Sequence, residues 1–125
     1  MTRQAVVSEA TAPPVGPFSA AVRSGEFLFM SGQVAQDPAS GKLVGADVTA
    51  QTEQVFANVR AVLRAAGKSM ADVVRVGVYL ADMNDFQRMN AVYARQFEAP
   101  YPARTTIAVA TLPLGALVEV DLVAR

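Results

Sequence analysis

The sequence predicts an α+β fold in which two helices cover one face of a mixed β-sheet. Segments near both ends and one in the middle alternate apolar and polar residues with the period of two that is typical of strands. Two other segments follow the 3.6-residue period of amphipathic helices. The chain has 125 residues, 52% of them hydrophobic, which suffices for one domain over residues 1–125 with a core that needs no disulfide. The predicted order of elements is ββαβαββ.

The N-terminal part is predicted to hold a short strand and a hairpin. The first 17 residues are rich in turn-forming residues, with a short strand near Ala5–Val7. Strands are expected at Phe18–Arg23 and Phe27–Ser31, because a Ser-Gly pair that suits a hairpin turn separates them. The segment Gln36–Lys42 starts with an Asp-Pro type of turn and ends near a glycine, so we predict a second turn there.

Two helices are predicted in the centre of the chain. The first begins near Thr49, where Asp47 or Thr49 can cap it, and ends at Gly67. The second begins near Asn84 and is ended by two prolines. Their predicted buried stripes are Val55, Val59, Val62, Leu63 and Ala66 in the first helix, and Phe86, Met89, Asn90, Tyr93 and Phe97 in the second.

Three further strands are predicted at Val73–Leu80, Arg104–Ala110 and Leu117–Val123. Because side chains alternate between the faces of a strand, each strand divides into two sets. The set predicted to face the helices is Val74, Val76, Val78, Leu80, Ile107, Val109, Val118, Val120 and Leu122. The set predicted for the opposite face is Arg75, Gly77, Tyr79, Arg104, Thr106, Ala108, Leu117, Glu119 and Asp121. This mixed second face fits either a subunit interface around a polar pocket or a solvent face with ion pairs.

Composition excludes several classes of function. The 11 basic residues balance the 11 acidic ones, so the net charge is zero, which argues against a nucleic-acid partner and against membrane binding through basic residues. The chain has no His and no Cys, so thiol nucleophiles, imidazole bases and the usual zinc sites are excluded. No secretory signal and no membrane-spanning run is found. We therefore expect a cytoplasmic protein without a metal site.

Arg104 and Glu119 are the first two candidates for chemistry. Arg104 stands at the start of a predicted strand, where its planar guanidinium suits either a small carboxylate or a surface salt bridge. Glu119 is predicted on the same face and can act as a base toward water or form an ion pair with an arginine. Spacing alone leaves both pairs of alternatives open.

Asn90 and Gly32 are two further candidates. Asn90 lies on the apolar stripe of the second helix, and a buried amide needs partners, so it either fixes a loop or faces a ligand. Gly32 ends a strand rich in aromatic residues, where it permits either a close backbone approach or a bulge.

Several short motifs extend over nearly the whole chain. They are Gly16-Pro17-Phe18-Ser19, Met30-Ser31-Gly32-Gln33, Asn58-Val59, Ala65-Ala66-Gly67, Asn84-Asp85-Phe86, Met89-Asn90, Pro102-Ala103-Arg104-Thr105-Thr106, Leu112-Pro113 and Val118-Glu119-Val120. The proline-flanked arginine segment is the most specific of them. Together and in this order, these motifs resemble those of the YjgF/RidA family, which is also called the endoribonuclease L-PSP family.

The resemblance implies a chorismate-mutase-like trimer with ligand clefts between adjacent subunits. It also implies hydrolytic deamination of reactive 2-imino acids, or their enamine forms, to 2-keto acids and ammonia, without metal or organic cofactor. In this reading Arg104 binds the substrate carboxylate, Glu119 positions the attacking water, and Gly32 and Asn90 line the pocket. Backbone groups near Gly32 and Thr106 frame the imine.

Two pocket positions depart from the family pattern, and the sequence also leaves two alternative functions to distinguish. Phe18 stands where many members have Tyr, and Thr106 occupies a position that is often Cys. Neither change forbids hydrolysis of an imine, but both bear on the range of substrates. The first alternative is a non-catalytic module that binds small carboxylates in the same cleft. The second is an endoribonuclease or translation inhibitor, which the zero net charge and the absence of His disfavour.

Overall fold

The computed structural model describes residues 2–125, so the first residue of the predicted domain lies outside the described part. The strands are β1 (Gln4–Val6), β2 (Ala21–Ser24), β3 (Phe27–Gln33), β4 (Val73–Leu80), β5 (Ala103–Ala108) and β6 (Val118–Ala124). The helices are α1 (Val48–Ala65) and α2 (Phe86–Ala94). The predicted order of elements, with its additional short first strand, is confirmed.

All six strands belong to one mixed sheet in the order β1-β2-β3-β6-β4-β5. The pair β4–β5 is parallel, whereas every other neighbouring pair is antiparallel. Because β3 and β4 both run antiparallel to β6, they point the same way and need a crossover, which α1 supplies. The helix α2 supplies the second crossover, between β4 and β5. This arrangement confirms the predicted α+β class with a mixed sheet.

The helix α1 begins and ends where its sequence signals lie. The Asp47 side chain accepts a hydrogen bond from the backbone N–H of Ala50 at 2.9 Å, so Asp47 and not Thr49 is the cap. At the other end Gly67 adopts a φ of +73°, and the N–H of Lys68 donates to the carbonyl of Leu63 at 2.8 Å. This left-handed glycine turns the chain away from the helix and toward β4.

The core lies between the helices and one face of the sheet. The helix α1 buries Val55, Val59, Val62 and Leu63, and β6 buries Val118, Val120 and Leu122. The two helices contact each other through aromatic side chains, since the rings of Phe56 and Tyr93 lie 5.8 Å apart edge to face. No helix among residues 2–125 has the length and apolar character needed to cross a membrane. The cytoplasmic location stays a prediction.

The predicted sorting of residues between the two faces is wrong in β4 at one position. Val74 was expected in the core, yet it is 44% exposed, while Val73 is buried. The cause is a shift in the register between β4 and β6 at Val73–Arg75, which inserts one extra residue and reverses the alternation. From Val76 onward the predicted core positions are buried.

The predicted sorting is also wrong along β5. Arg104 pairs with Val76 and Thr106 pairs with Val78, and residues that pair laterally point to the same face. Arg104 and Thr106 therefore lie on the helix-covered face and not on the open face. Ile107, predicted in the core, pairs with Tyr79 on the open face and is 46% exposed. The strand β5 ends at Ala108, so its predicted end at residue 110 is two residues too late.

The boundaries of two other elements differ from the prediction. The strand β2 starts at Ala21, so the predicted strand residues 18–20 form an irregular segment before it. The helix α2 starts at Phe86, because Met83–Asp85 form a separate 3₁₀ turn that the Asp82 side chain caps. The irregular segment before β2 leaves Phe18 free to leave the plane of the sheet, where it lines a cleft.

Candidate functional site

The Arg104 guanidinium is held in place by three residues of α2. Its Nη1 donates a hydrogen bond to Oδ1 of Asn90 at 2.7 Å. Its central carbon lies 4.5 Å from the ring centroid of Tyr93 and 5.6 Å from that of Phe86, which are cation–π distances. Phe86, Asn90 and Tyr93 follow each other at i, i+4 and i+7, so one stripe of the helix fixes the arginine. Asn90 thus positions Arg104 as well as lining its cleft.

Arg104 faces an open cleft without an acidic partner. The cleft has a volume of about 520 Å³ and is lined by Asn90, Tyr93, Ala94, Tyr101, Pro102 and Arg104. Among residues 2–125 the ion pairs involve Arg88, Arg95 and Arg125, whereas none involves Arg104. A partly buried guanidinium that lines a cleft and has no ion-pair partner among the described residues is suited to bind a carboxylate with two parallel hydrogen bonds. The alternative of a surface salt bridge for Arg104 finds no support within the described chain.

Two buried hydroxyl groups lie on the same side of the sheet as Arg104. The hydroxyl groups of Tyr93 and Thr106 are both inaccessible to solvent and have no hydrogen-bond partner among the described residues. Burial raises the pKa of Tyr93, and the nearby positive charge of Arg104 opposes that effect in part. A buried hydroxyl without a partner is unfavourable, so these two groups are unsatisfied polar atoms on the Arg104 side of the sheet.

Glu119 lies in a second cleft, together with Gly32 and Phe18. This cleft measures about 490 Å³. A Cβ atom at residue 32 would lie 2.5 Å from Oε2 of Glu119, so only glycine lets the carboxylate approach the backbone this closely. The register between β3 and β6 also shifts between Met30 and Gln33, so both alternatives considered for Gly32, a bulge and a close approach, are present. Phe18 is 53% exposed and forms part of the cleft wall.

The environment of Glu119 favours its protonated form. Burial raises the pKa of this carboxyl above its usual value, and the negative charge of Asp121 raises it further. Asp121 itself accepts a hydrogen bond from the hydroxyl of Tyr79 at 3.0 Å. A carboxylate with a raised pKa is a better proton acceptor near neutral pH than an exposed one, so Glu119 is suited to act as a base toward water.

Polar side chains of α1 and β3 fix the loops that form the Glu119 cleft. The Asn58 amide donates to the carbonyls of Val34 at 3.2 Å and Gln36 at 3.0 Å, and both of these residues line the cleft. The Ser31 hydroxyl donates to the carbonyl of Ser19 at 2.6 Å, which holds the Phe18 segment against the end of β3. These bonds give the cleft a defined shape before any ligand arrives.

The six candidate residues divide into two groups on opposite faces of the sheet. Asn90, Arg104 and Thr106 lie on the helix side, whereas Phe18, Gly32 and Glu119 form the other cleft. The register gives the reason: Arg104 pairs with Val76 on the core face, while Glu119 pairs with Tyr79 on the open face. The expectation that Arg104 and Glu119 share a face is therefore wrong, and one chain alone does not bring them to one ligand.

Sequence reasoning missed the roles of three residues. It assigned Phe86 and Tyr93 to a core stripe and did not connect them to the arginine. The signal was present, because both flank Asn90 at helical spacing, but the assignment of Arg104 to the other face concealed it. Asp121 was expected on the same face as Glu119. Its charge raises the pKa of Glu119 in addition to burial, and the sequence does not give that burial.

Comparison with known proteins shows close relatives over nearly the full chain. The family described as endoribonuclease L-PSP matches residues 9–125. A RutC family protein of Pyrococcus horikoshii is 44% identical over 122 residues, which cover 98% of this chain and 97% of that protein. A 2-iminobutanoate/2-iminopropanoate deaminase of Capra hircus is 42% identical, covering 95% and 88%. The crystal structure of Escherichia coli TdcF with bound serine has a TM-score of 0.91 at 33% identity, covering 97% of each chain.

Proposed function

This chain belongs to the endoribonuclease L-PSP family, also called the YjgF/RidA family, and from that premise we propose that it hydrolyses 2-imino acids to 2-keto acids and ammonia. The observation that carries the proposal is the Arg104 guanidinium, which neutral groups hold at the wall of an open cleft. Among residues 2–125 no carboxylate pairs with it, so its charge is available for a substrate carboxylate.

We propose that the chain assembles as a homotrimer with its sites between neighbouring subunits, as the family resemblance implies. Arg104 and Glu119 lie on opposite faces of one sheet, and a substrate can reach both only when they come from different chains. The open face also carries Phe27, Phe29 and Ile107, which are 40%, 45% and 46% exposed. Exposed apolar side chains on a sheet face that also carries polar groups are typical of a subunit interface.

In the proposed reaction, Arg104 of one subunit binds the substrate carboxylate through two parallel hydrogen bonds. This contact directs the imine carbon toward Glu119 of the neighbouring subunit. The Glu119 carboxylate lies close against the backbone at Gly32, and in this proposal the attacking water binds to that carboxylate. Because an imine is reactive without further activation, orientation of the imine and of one water molecule provides most of the rate enhancement.

The proton transfers balance with Glu119 as the only titrating side chain. As the water oxygen bonds to the imine carbon, the Glu119 carboxylate accepts a proton from the water and passes it to the nitrogen. The carbon–nitrogen bond of the resulting carbinolamine then breaks and ammonia leaves. The proton of the carbinolamine hydroxyl reaches the leaving nitrogen through Glu119, and the carbonyl of the 2-keto acid forms. One water is consumed and no electrons are exchanged. An enamine enters the same route after it tautomerises to the imine.

The names of two relatives support this choice of substrate class. The Capra hircus protein is a deaminase of 2-iminobutanoate and 2-iminopropanoate, both of which are small 2-imino carboxylates. The Escherichia coli TdcF structure contains serine, whose carboxylate is of the kind that Arg104 is suited to bind. The P. horikoshii relative is named only for its RutC family.

The test is an assay in which an amino-acid oxidase generates the imine in situ, and semicarbazide and the protein compete for it. Semicarbazide traps free imine as an absorbing semicarbazone, and an active deaminase lowers that signal by hydrolysing the imine first. We expect the purified protein to lower the signal and Arg104→Ala to restore it. A protein that binds 2-keto acids but leaves the signal unchanged would instead be a non-catalytic binding module. RNA cleavage that persists in Arg104→Ala would belong to another site or to a contaminant.

A further inference from the structure

The Glu119 cleft gathers three exposed apolar side chains. Val15 is 88% exposed, Phe18 is 53% exposed and Leu114 is 60% exposed, and all three line the same 490 Å³ volume. Single exposed apolar residues are ordinary on protein surfaces, but three that line one cleft beside the half-buried Glu119 carboxylate indicate a binding surface. The cleft also falls within the range of about 300–1,000 Å³ that small-molecule sites occupy.

Leu114 is held in an unfavourable backbone conformation. Its φ is +61° and its ψ is 14°, which is the left-handed region that side-chain-bearing residues rarely adopt. Two backbone hydrogen bonds fix the turn around it, from Gly115 to Leu112 at 3.2 Å and from Ala116 to Pro113 at 3.0 Å. Glycine or asparagine would suit this position better, and the side chain gains little by burial. A leucine that costs stability here indicates a role in the cleft.

We propose that Leu114, together with Phe18, forms the subsite for the substrate side chain and selects 2-imino acids with aliphatic side chains of about four carbons. The inference rests on the proposed function. The imine carbon carries three groups: a carboxylate, which Arg104 of the neighbouring subunit holds, the nitrogen, and the side chain. With the carbon beside Glu119, the side chain lies against the remaining wall of the cleft, and Phe18 and Leu114 make that wall apolar.

The expected selectivity follows from the apolar area buried. Each fully buried methylene of the substrate raises kcat/KM about fourfold. A leucine-derived imine has three more side-chain carbon atoms than an alanine-derived one, so its kcat/KM is expected to be roughly 10- to 60-fold higher. An aspartate-derived imine, whose second carboxylate would lie against the apolar wall and near Glu119, is expected to be the poorest substrate.

The experiment measures kcat/KM for imines derived from alanine, leucine and aspartate in four variants. Leu114→Asn tolerates the left-handed backbone but removes the apolar wall, so we expect the preference for leucine over alanine to fall by about 3- to 10-fold. Leu114→Met keeps the apolar volume and retains most of the preference. Leu114→Gly also loses the preference, but its Tm equals or exceeds that of the wild type because the backbone strain is removed. The control Val7→Asn removes a side chain that is 77% exposed outside the cleft and leaves the preference unchanged.

The outcomes separate this inference from the function on which it rests. A wild-type protein that hydrolyses none of the imines removes the proposed function and the subsite together. Hydrolysis with equal effects of Leu114→Asn on all three imines overturns the subsite alone. A lower Tm for Leu114→Gly would mean that Leu114 packs for stability, which also contradicts the inference. A selective loss for the leucine-derived imine, with the alanine-derived one unaffected, supports it.

Discussion

Replacing Arg104 by alanine is expected to remove the main anchor of the substrate. Asn90 occupies one N–H of the guanidinium at 2.7 Å, and the remaining N–H groups include a parallel pair for a carboxylate. Two charge-assisted hydrogen bonds contribute about 1.5 to 3 kcal/mol each, and partial exposure of the arginine reduces the sum to about 2 to 4 kcal/mol. This corresponds to a loss of roughly 30- to 1,000-fold in kcat/KM.

The assay is steady-state hydrolysis of an alanine-derived imine by protein whose fold and assembly have been verified. Arg104→Lys keeps the charge but loses the planar fork and the stacking on Tyr93, so it is expected to stay at least about tenfold below the wild type. The control is Arg88→Ala, because the Arg88 side chain is 62% exposed and, among residues 2–125, pairs only with Asp85. An Arg104→Ala protein within about threefold of the wild type, with Arg88→Ala equally active, would refute this reasoning.

Three further predictions concern residues around the two clefts. Glu119→Gln loses turnover but keeps its affinity for an unreactive 2-keto acid, as isothermal titration can verify. Burial and Asp121 raise the Glu119 pKa, so the folded protein loses stability as the pH rises from the usual glutamate pKa of 4.5 through the raised value. Differential scanning calorimetry should therefore give Glu119→Gln the same Tm as the wild type at a pH below 4.5, where both side chains are neutral. Near about pH 8 the variant should have the higher Tm. A lower Tm at the higher pH would mean that Glu119 pairs with a cation. Gly32→Ala displaces the carboxylate and lowers activity, while thermal unfolding changes little because the side-chain end can move. Asn90→Ala frees Arg104 to rotate and raises KM more than it lowers kcat, in contrast to Glu119→Gln.

The pH dependence of turnover offers an independent check on Glu119. The reaction needs the ionised carboxylate, so the rate falls as the pH drops through the raised pKa. The chain contains no His, so an acid limb above the ordinary carboxyl range is readily assigned to this glutamate. Glu119→Gln should lack that limb in whatever activity it retains. An unchanged acid limb in the variant would assign the titration to another group.

The sequence predicted the elements of the fold well because their signals are local. The period of the apolar residues in α1, the cap at Asp47 and the glycine at its end all act within a few residues of each other. The assignment of strand residues to the two faces of the sheet was wrong where it depends on pairing with a strand distant in the sequence. The register shift at Val73–Arg75 depends on how β6 pairs with β4, and no residue pattern within β4 announces it.

The candidate site was predicted residue by residue, but its geometry was not. Family motifs identified Arg104, Asn90 and Glu119 without locating them relative to one another. The strand β5 lies at the edge of the sheet, so the helices cover its core-side residues only in part. A charged side chain such as Arg104 is therefore accommodated on that side. Ile107 instead lies on the open face, where it is 46% exposed. The alternation of side chains along a strand divides its residues into two sets, one for each face of the sheet. Which of the two sets is buried depends on where the helices pack.

The most direct test of the account mixes two inactive proteins. Subunits carrying Arg104→Ala and subunits carrying Glu119→Gln are unfolded, combined in equal amounts and refolded, and native mass spectrometry verifies that mixed trimers form. If each site takes Arg104 from one chain and Glu119 from its neighbour, about a quarter of the sites in randomly mixed trimers carry both groups. The account predicts that imine hydrolysis returns to about a quarter of the wild-type rate. Mixed trimers no more active than their parents would contradict it.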